Sequence, residues 1–162
     1  MSNVKPAYVE LRFRPNVQLI STVRRFVSDF YEYALIDADT VSRLALATHE
    51  LLENAVRNTA NQESRVCIAV ETVGGVDRVI IRTTNSTTPA NIEILKRLFQ
   101  EMNAAKDPFE YYQLLMKRTA RQPEGSGLGL ARIRSEAEMG LNLEVAGEEV
   151  CISATAIVTS KG

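Results

Sequence analysis

Three polar residues stand at spacings that place their side chains in a single stripe of a predicted helix. Glu50, Asn54 and Arg57 occupy positions i, i+4 and i+7, and residues at these spacings share one face of an α-helix. The Asn oxygen is a hard ligand suited to Mg²⁺, while the Glu carboxylate can orient or deprotonate a hydroxyl nucleophile. The stripe therefore suits a site for Mg²⁺ and phosphate. A solvated helix face that carries the same residues is the alternative.

A glycine-rich segment is the second candidate for chemistry. It reads Gly125-Ser126-Gly127-Leu128-Gly129-Leu130 and stands at the start of a predicted helix. Glycines at every second position let the backbone approach a ligand closely, and N–H groups at a helix start can bind phosphate oxygens. The spacing differs from the dinucleotide-binding fingerprint, and no Gly-Lys-Ser/Thr follows as in a Walker A loop. A flexible hinge is the alternative.

Other side chains are weaker candidates. His49 has no Cys or His at ligand spacing, which favours a surface or supporting position over a metal site. The basic run 117–121 suits either phosphate contact or a solvated helix end. An apolar cluster suits packing of a helix onto the body or docking of a partner helix; it comprises Phe109, Tyr111, Tyr112 and Met116.

Hydrophobic periodicity predicts the elements that position these residues. Alternation at 8–14 indicates a half-buried strand, and helical spacing after Asn16 and after Asp37 or Asp39 indicates two helices. The Gly74-Gly75 pair predicts a hairpin turn. The predicted order is strand 8–14, helices 16–35 and 37–59, strands 65–72 and 77–84, helices 91–102, 108–119 and 128–139, and strands 141–146 and 149–159, with Gly140 ending the last helix.

This order predicts an α/β two-layer sandwich. Consecutive strands without crossover helices require antiparallel pairing, and one-sided alternation places the helices on one face of the sheet. We expect a mixed, mostly antiparallel sheet in a single domain, 1–162. The helices within 86–124 show no strong core stripe, so this segment is expected to open easily.

Composition excludes several classes of protein. The 162 residues are 45% hydrophobic and 24% charged, with a formal charge of −1, which gives no reason to expect nucleic acid or an anionic membrane as the main partner. No apolar stretch approaches the ~20 residues that span a bilayer. Cys67 and Cys151 lie in apolar strand-like runs and are expected to be reduced core residues of a cytoplasmic protein.

The two constellations together resemble the GHKL (histidine-kinase-like) ATPase superfamily. Glu-x-x-x-Asn on a helix, a hairpin, a long segment and Gly-x-Gly-Leu-Gly-Leu at another helix start are similar to its N box and second glycine box. The resemblance covers 8–159 and implies the Bergerat ATP-binding fold. We expect no phosphoacceptor helix pair before the domain, and on that expectation the chain resembles the anti-sigma-factor serine kinases of partner-switching modules, including the SiaB-type branch, more than sensor histidine kinases.

The resemblance implies a role for each matching residue. Glu50 would be the catalytic base, Asn54 the Mg²⁺ ligand and Arg57 a phosphate-facing cation. The family's first glycine box, Asp-x-Gly-x-Gly, is replaced by a stretch in which the Asn85 carboxamide would bind adenine. The remaining implied nucleotide-binding positions are Asn58, Gly125, Ser126, Gly127, Leu128 and Gly129, and 86–124 would be the ATP lid.

The implied activity is that of a Mg-ATP-dependent serine/threonine protein kinase. Its partner would be a small protein antagonist or a sigma factor, and a homodimer is left open. Two alternatives depart from this activity. One is a catalytically inactive module that keeps the fold to bind a protein, which the altered first glycine box favours. The other is an ATP-driven conformational switch whose moving part is the lid.

Overall fold

A computed structural model describes residues 6–14, 16–35, 37–59, 63–120 and 127–158. None of the helices within these ranges is both long enough and apolar enough to span a membrane. The elements are β1 (Ala7–Phe13), α1 (Val17–Ala34), α2 (Ala38–Asn58), β2 (Ser64–Val73), β3 (Val76–Ser86), α3 (Pro89–Ala104), α4 (Pro108–Thr119), α5 (Leu128–Ser135), β4 (Gly140–Ala146) and β5 (Glu149–Val158).

The five strands form one open sheet in the order β1-β2-β3-β5-β4. Each of the four neighbouring pairs is antiparallel. Burial alternates along β2 and β3, as expected for strands with one covered face, and α2 packs across β2, β3 and β5. The predicted two-layer α/β sandwich with a mostly antiparallel sheet is therefore confirmed.

Side-chain caps explain where the first two helices begin. The carboxamide oxygen of Asn16 accepts a hydrogen bond from the N–H of Gln18 at 2.9 Å, and the carboxylate of Asp37 accepts one from the N–H of Thr40 at 3.3 Å. Such caps satisfy N–H groups that have no partner within the helix. The predicted starts of α1 and α2 are confirmed.

Packing against the core fixes the rotation of α2 about its own axis. Its buried side chains include Leu44, Leu51 and Leu52, and a hydrogen bond of 2.8 Å joins the Tyr31 hydroxyl on α1 to Thr48. Burial raises the pKa of Tyr31 well above its usual range, so the hydroxyl stays protonated. Because the apolar stripe of α2 faces the sheet, the polar stripe that contains Glu50 faces away from it.

The two helices of the predicted lid contribute to the core. Four residues of α3 are buried at helical spacing, namely Ile92, Leu95, Phe99 and Met102, and Tyr111, Tyr112 and Leu115 of α4 are buried as well. The expectation that these helices lack a strong core stripe is therefore wrong. The four α3 residues stand at i, i+3, i+7 and i+10, which is the spacing of a core-facing stripe and is visible in the sequence. Phe109 and Met116 of α4 stay exposed.

The helix that follows the glycine-rich segment is shorter than predicted. It ends at Ser135, and Glu138 adopts a left-handed backbone conformation with φ of 54°, which a helix interior does not contain. The chain turns over 136–139, so Gly140 begins β4 opposite Thr155 instead of closing the helix. The predicted helix end is wrong.

The two cysteines were expected in the core, but the structure places neither of them there. Both are free and only half-buried. Cys67 alternates with the buried Val66 and Ile68 along β2, so its side chain points to the face of the sheet opposite the helices. Cys151 alternates in the same way with Val150 and Ile152 on β5.

Candidate functional site

A cavity of 280 Å³ lies between α2, α3, α4 and the start of α5. The predicted site residues that line it are Glu50, Asn54, Arg57, Asn58, Gly127, Leu128 and Gly129. The structure thus brings the polar stripe of α2 and the described part of the glycine-rich segment to one place. Gly125 and Ser126 lie outside the described residues.

Asn58 orients the carboxamide of Asn54. Its side-chain N–H₂ donates to Oδ1 of Asn54 at 3.0 Å and to the Asn54 backbone carbonyl at 2.9 Å. An amide oxygen has two lone pairs, so the Asn54 oxygen keeps one acceptor site beyond this bond. A neighbour that fixes the orientation of a metal ligand strengthens metal binding.

Glu50 is the most enclosed acid of the cavity. Only 12% of its side chain is exposed, and its Oε1 accepts a hydrogen bond of 3.1 Å from Nη1 of Arg132 on α5. Arg132 also donates from Nε to Glu136 at 2.9 Å. The hydrogen bond to Glu136 raises the pKa of the Arg132 guanidinium, which keeps its positive charge beside Glu50.

At both Gly127 and Gly129, a neighbouring side chain occupies the space that a Cβ atom would need. A Cβ on Gly129 would overlap the Oε2 atom of Glu50, and a Cβ on Gly127 would overlap the side chain of Leu98 on α3. Gly127 also has a φ of 70°, a conformation that glycine adopts without strain. The glycines therefore allow α5 to approach α2 and α3, in addition to any approach of a ligand.

The remaining polar residues of the α2 stripe lie toward solvent. The Arg57 side chain is 65% exposed and pairs with Glu53 at 3.5 Å. Glu53 also lies 3.3 Å from Nε2 of His49, which places that histidine beside the stripe as a supporting residue. Among the described residues, no three His, Cys, Asp or Glu side chains cluster so as to hold a metal ion.

Asn85 lies apart from the residues that line this cavity. It is buried near the end of β3, opposite Ser64, and its N–H₂ donates to the Ser86 carbonyl at 3.4 Å. Its role in adenine binding stays a prediction.

Among the residues that shape the cavity, sequence reasoning missed Arg132 and Leu98, and it named Tyr112 only for packing or for docking of a partner helix. Arg132 pairs with the predicted base, while Leu98 and Tyr112 line the wall formed by α3 and α4. A signal for Arg132 existed, because it follows Gly129 by one helical turn and so shares its face of α5. Leu98 and Tyr112 carry no such signal, since only the packing of α3 and α4 brings them there.

Comparisons with known proteins agree with this geometry. Residues 39–159, more than half of the chain, match the family model described as histidine kinase-, DNA gyrase B-, and HSP90-like ATPase. A crystal structure of the SiaB–SiaC complex from Pseudomonas aeruginosa is similar in fold, with a TM-score of 0.63 and 14% identity over 93% of this chain and 89% of that chain. No curated protein sequence matches significantly. The predicted superfamily is confirmed, and the chain belongs to the histidine kinase-, DNA gyrase B- and HSP90-like ATPases.

Proposed function

We propose that the chain binds Mg-ATP in this cavity and phosphorylates a Ser or Thr of a small protein partner in a cytoplasmic partner-switching module. The observation that carries the proposal is the meeting of three groups at one cavity: the Glu50 carboxylate, the Asn54 carboxamide and the glycine-lined start of α5. Phosphoryl transfer needs these functions, namely alignment of a nucleophile, a metal ligand and donors to phosphate oxygens.

The start of α5 fits a phosphate better than the starts of the other four helices do. Each of those helices begins at a residue whose side chain caps the first turn, whereas α5 begins at Gly127 with no side-chain cap. Backbone N–H groups in a first helical turn have no partner within the helix. Gly127 has no side chain that could compete with a phosphate for this helix start, and a first helical turn suits phosphate oxygens.

The donor set of α2 fits Mg²⁺. Asn54 would hold the ion through Oδ1, which Asn58 already orients, and the remaining ligands would come from phosphate oxygens and water. The bound ion would neutralise phosphate charge during transfer. Glu50 would align the acceptor hydroxyl and take its proton, which requires a carboxylate within hydrogen-bond reach of that hydroxyl.

The proposal includes a shift of α3 when a nucleotide binds, because Leu98 lies against Gly127. Typical ligand pockets measure roughly 300–1,000 Å³, and this one measures 280 Å³ with Leu98 lying against Gly127. Movement of Leu98 away from Gly127 would enlarge the cavity over the start of α5. The lid assignment for 86–124 thus remains part of the proposal.

Two substitutions test the kinase. Glu50→Gln keeps shape and a hydrogen bond but loses the charge, so it should bind Mg-ATP yet transfer phosphate at least ~100-fold more slowly. Asn54→Ala should weaken Mg-ATP binding as well. Binding is measured by calorimetry, and transfer by the intact-mass shift of a protein that the parent chain captures from a lysate. Glu71→Gln, on a strand far from the cavity, is the matched control.

A binding module without catalysis is the competing proposal, and the position of Asn85 outside the cavity lining favours it. In that case the parent chain would bind its partner with the same affinity in the presence and absence of nucleotide and would never phosphorylate it. That result would refute the kinase, while failure to bind Mg-ATP at all would refute both the kinase and an ATP-driven switch.

A further inference from the structure

Arg132 joins two acidic side chains at the edge of the cavity. Its Nη1 donates to Oε1 of Glu50 on α2 at 3.1 Å, and its Nε donates to Oε2 of Glu136 at 2.9 Å. The guanidinium is thereby held by Glu136, which caps the C-terminal end of α5, while a different nitrogen reaches across to Glu50 on α2. A planar guanidinium can keep one of these bonds while another N–H changes partner.

The pair with Glu50 differs from the other ion pairs of the described residues. Its carboxylate is 12% exposed, whereas the others range from 32% to 82%. An enclosed carboxylate is poorly solvated, so it depends on a nearby cation. An exposed surface pair of the same length contributes little to stability.

The charges that line the cavity are balanced by Arg132. Glu50 and Glu53 supply two negative charges, and Arg57 and Arg132 supply two positive ones. Arg57 is largely exposed and paired with Glu53, so Arg132 is the lining cation that pairs with the predicted base. A triphosphate that enters adds negative charge beside this guanidinium, which binds phosphate oxygens in a bidentate geometry.

We propose that Arg132 moves its Nη1 donor from Glu50 to the terminal phosphate when ATP binds. Glu136 retains Nε, so the guanidinium pivots and stays at the cavity. Without nucleotide, Arg132 occupies a lone pair of Glu50 Oε1, so that lone pair is not open to an acceptor hydroxyl. Binding of the triphosphate then frees Glu50 for the acceptor hydroxyl. This inference rests on the proposed function, because it assigns the terminal phosphate to the same cavity.

The test compares ATP with ADP, which lacks the terminal phosphate. Arg132→Met keeps the unbranched stem of the side chain and removes the charge and the N–H donors of the guanidinium. We expect its affinity for Mg-ATP to fall at least ~10-fold and its affinity for Mg-ADP to fall less than ~3-fold, as for loss of a charge-assisted bond to one group. Calorimetry measures both affinities directly and needs no turnover. Arg43→Met is the matched control, since Arg43 pairs with Glu138 at the same distance of 3.1 Å outside the cavity.

A second variant keeps the test decisive if Arg132→Met does not fold. Glu136→Gln leaves the guanidinium charged but weakens its anchor, and it should reduce the preference for ATP over ADP by ~3-fold. Equal losses for ATP and ADP, or no loss for either, would overturn the inference and leave the proposed function standing. A parent chain that binds neither nucleotide would refute the proposed function itself.

Discussion

Replacement of Gly129 by alanine should separate stability from catalysis. The alanine methyl would overlap Oε2 of Glu50, so the carboxylate must move on the order of 1 Å to reach an ordinary contact distance. Its other oxygen lies 3.1 Å from Arg132, and a shift of this size breaks that hydrogen bond. The substitution therefore displaces the Glu50 carboxylate, the predicted base, while the carboxylate group itself is unchanged.

The effect on stability should be small because two contributions oppose each other. Alanine in place of glycine in a helix stabilises by about 0.5–1 kcal/mol. Loss of the Arg132 bond destabilises by about 1 kcal/mol, because solvent screens the Arg132 end of the pair, which is 40% exposed, although Glu50 itself is enclosed. The free energy of unfolding should therefore change by less than about 1 kcal/mol.

The effect on phosphoryl transfer should be large. A misplacement of about 1 Å in a reacting group can cost about 100-fold in rate. Urea unfolding would measure the stability of Gly129→Ala, and the intact-mass assay of the captured partner would measure its transfer rate. Transfer within about threefold of the parent rate would refute the argument that Glu50 needs the space beside Gly129.

Gly127→Ala is the contrasting variant. Its φ of 70° is left-handed, which costs a residue with a Cβ about 1–2 kcal/mol, and the new methyl must also displace Leu98, at a further cost of about 1 kcal/mol. Gly127→Ala should therefore destabilise the fold by about 2–3 kcal/mol. The two variants should therefore differ: Gly129→Ala should mainly lower the transfer rate, and Gly127→Ala should mainly lower the free energy of unfolding.

Two further outcomes follow from the contacts around the cavity. Asn58→Ala removes the hydrogen bonds that orient Asn54, so the Mg²⁺-dependent part of the ATP affinity should fall about 10-fold. Calorimetry with and without Mg²⁺ measures this part of the affinity. Equal losses of ATP affinity with and without Mg²⁺ would contradict the prediction. Hydrogen exchange over α3 and α4 should slow when Mg-ATP is added, and unchanged exchange would argue against a lid. Leu98→Ala relieves the contact with Gly127 and should raise the ATP affinity.

The sequence predicted the fold well because its local signals agree with one another. The caps at Asn16 and Asp37, the Gly74-Gly75 turn and the alternation in β2 each specify an element without reference to distant residues. Their order then permits little besides an antiparallel sheet covered on one face. The polar stripe of α2 also followed from spacing alone, because the apolar residues of the same helix fix which face points away from the sheet.

What the sequence did not reveal depends on contacts between distant segments. The turn at Glu138 and the entry of Gly140 into β4 are set by pairing with β5, which a helical pattern through 139 does not show. The pair between Glu50 and Arg132 joins residues 82 positions apart. Leu98 reaches Gly127 because α3 packs on the core, and this packing was the part of the prediction that failed.

Two contacts in this arrangement occupy groups that the proposed nucleotide would use. Leu98 fills the space beside Gly127, and Arg132 holds Glu50. In the proposed mechanism ATP would displace both, so its apparent affinity would be the intrinsic affinity multiplied by the fraction of molecules in which α3 has moved and the guanidinium is released. A protein partner that favours the displaced position of α3 would raise the ATP affinity, and ATP would raise the affinity for that partner by the same factor. An enzyme with this coupling would expose its base mainly when nucleotide and partner are both bound, which a substrate-specific kinase requires.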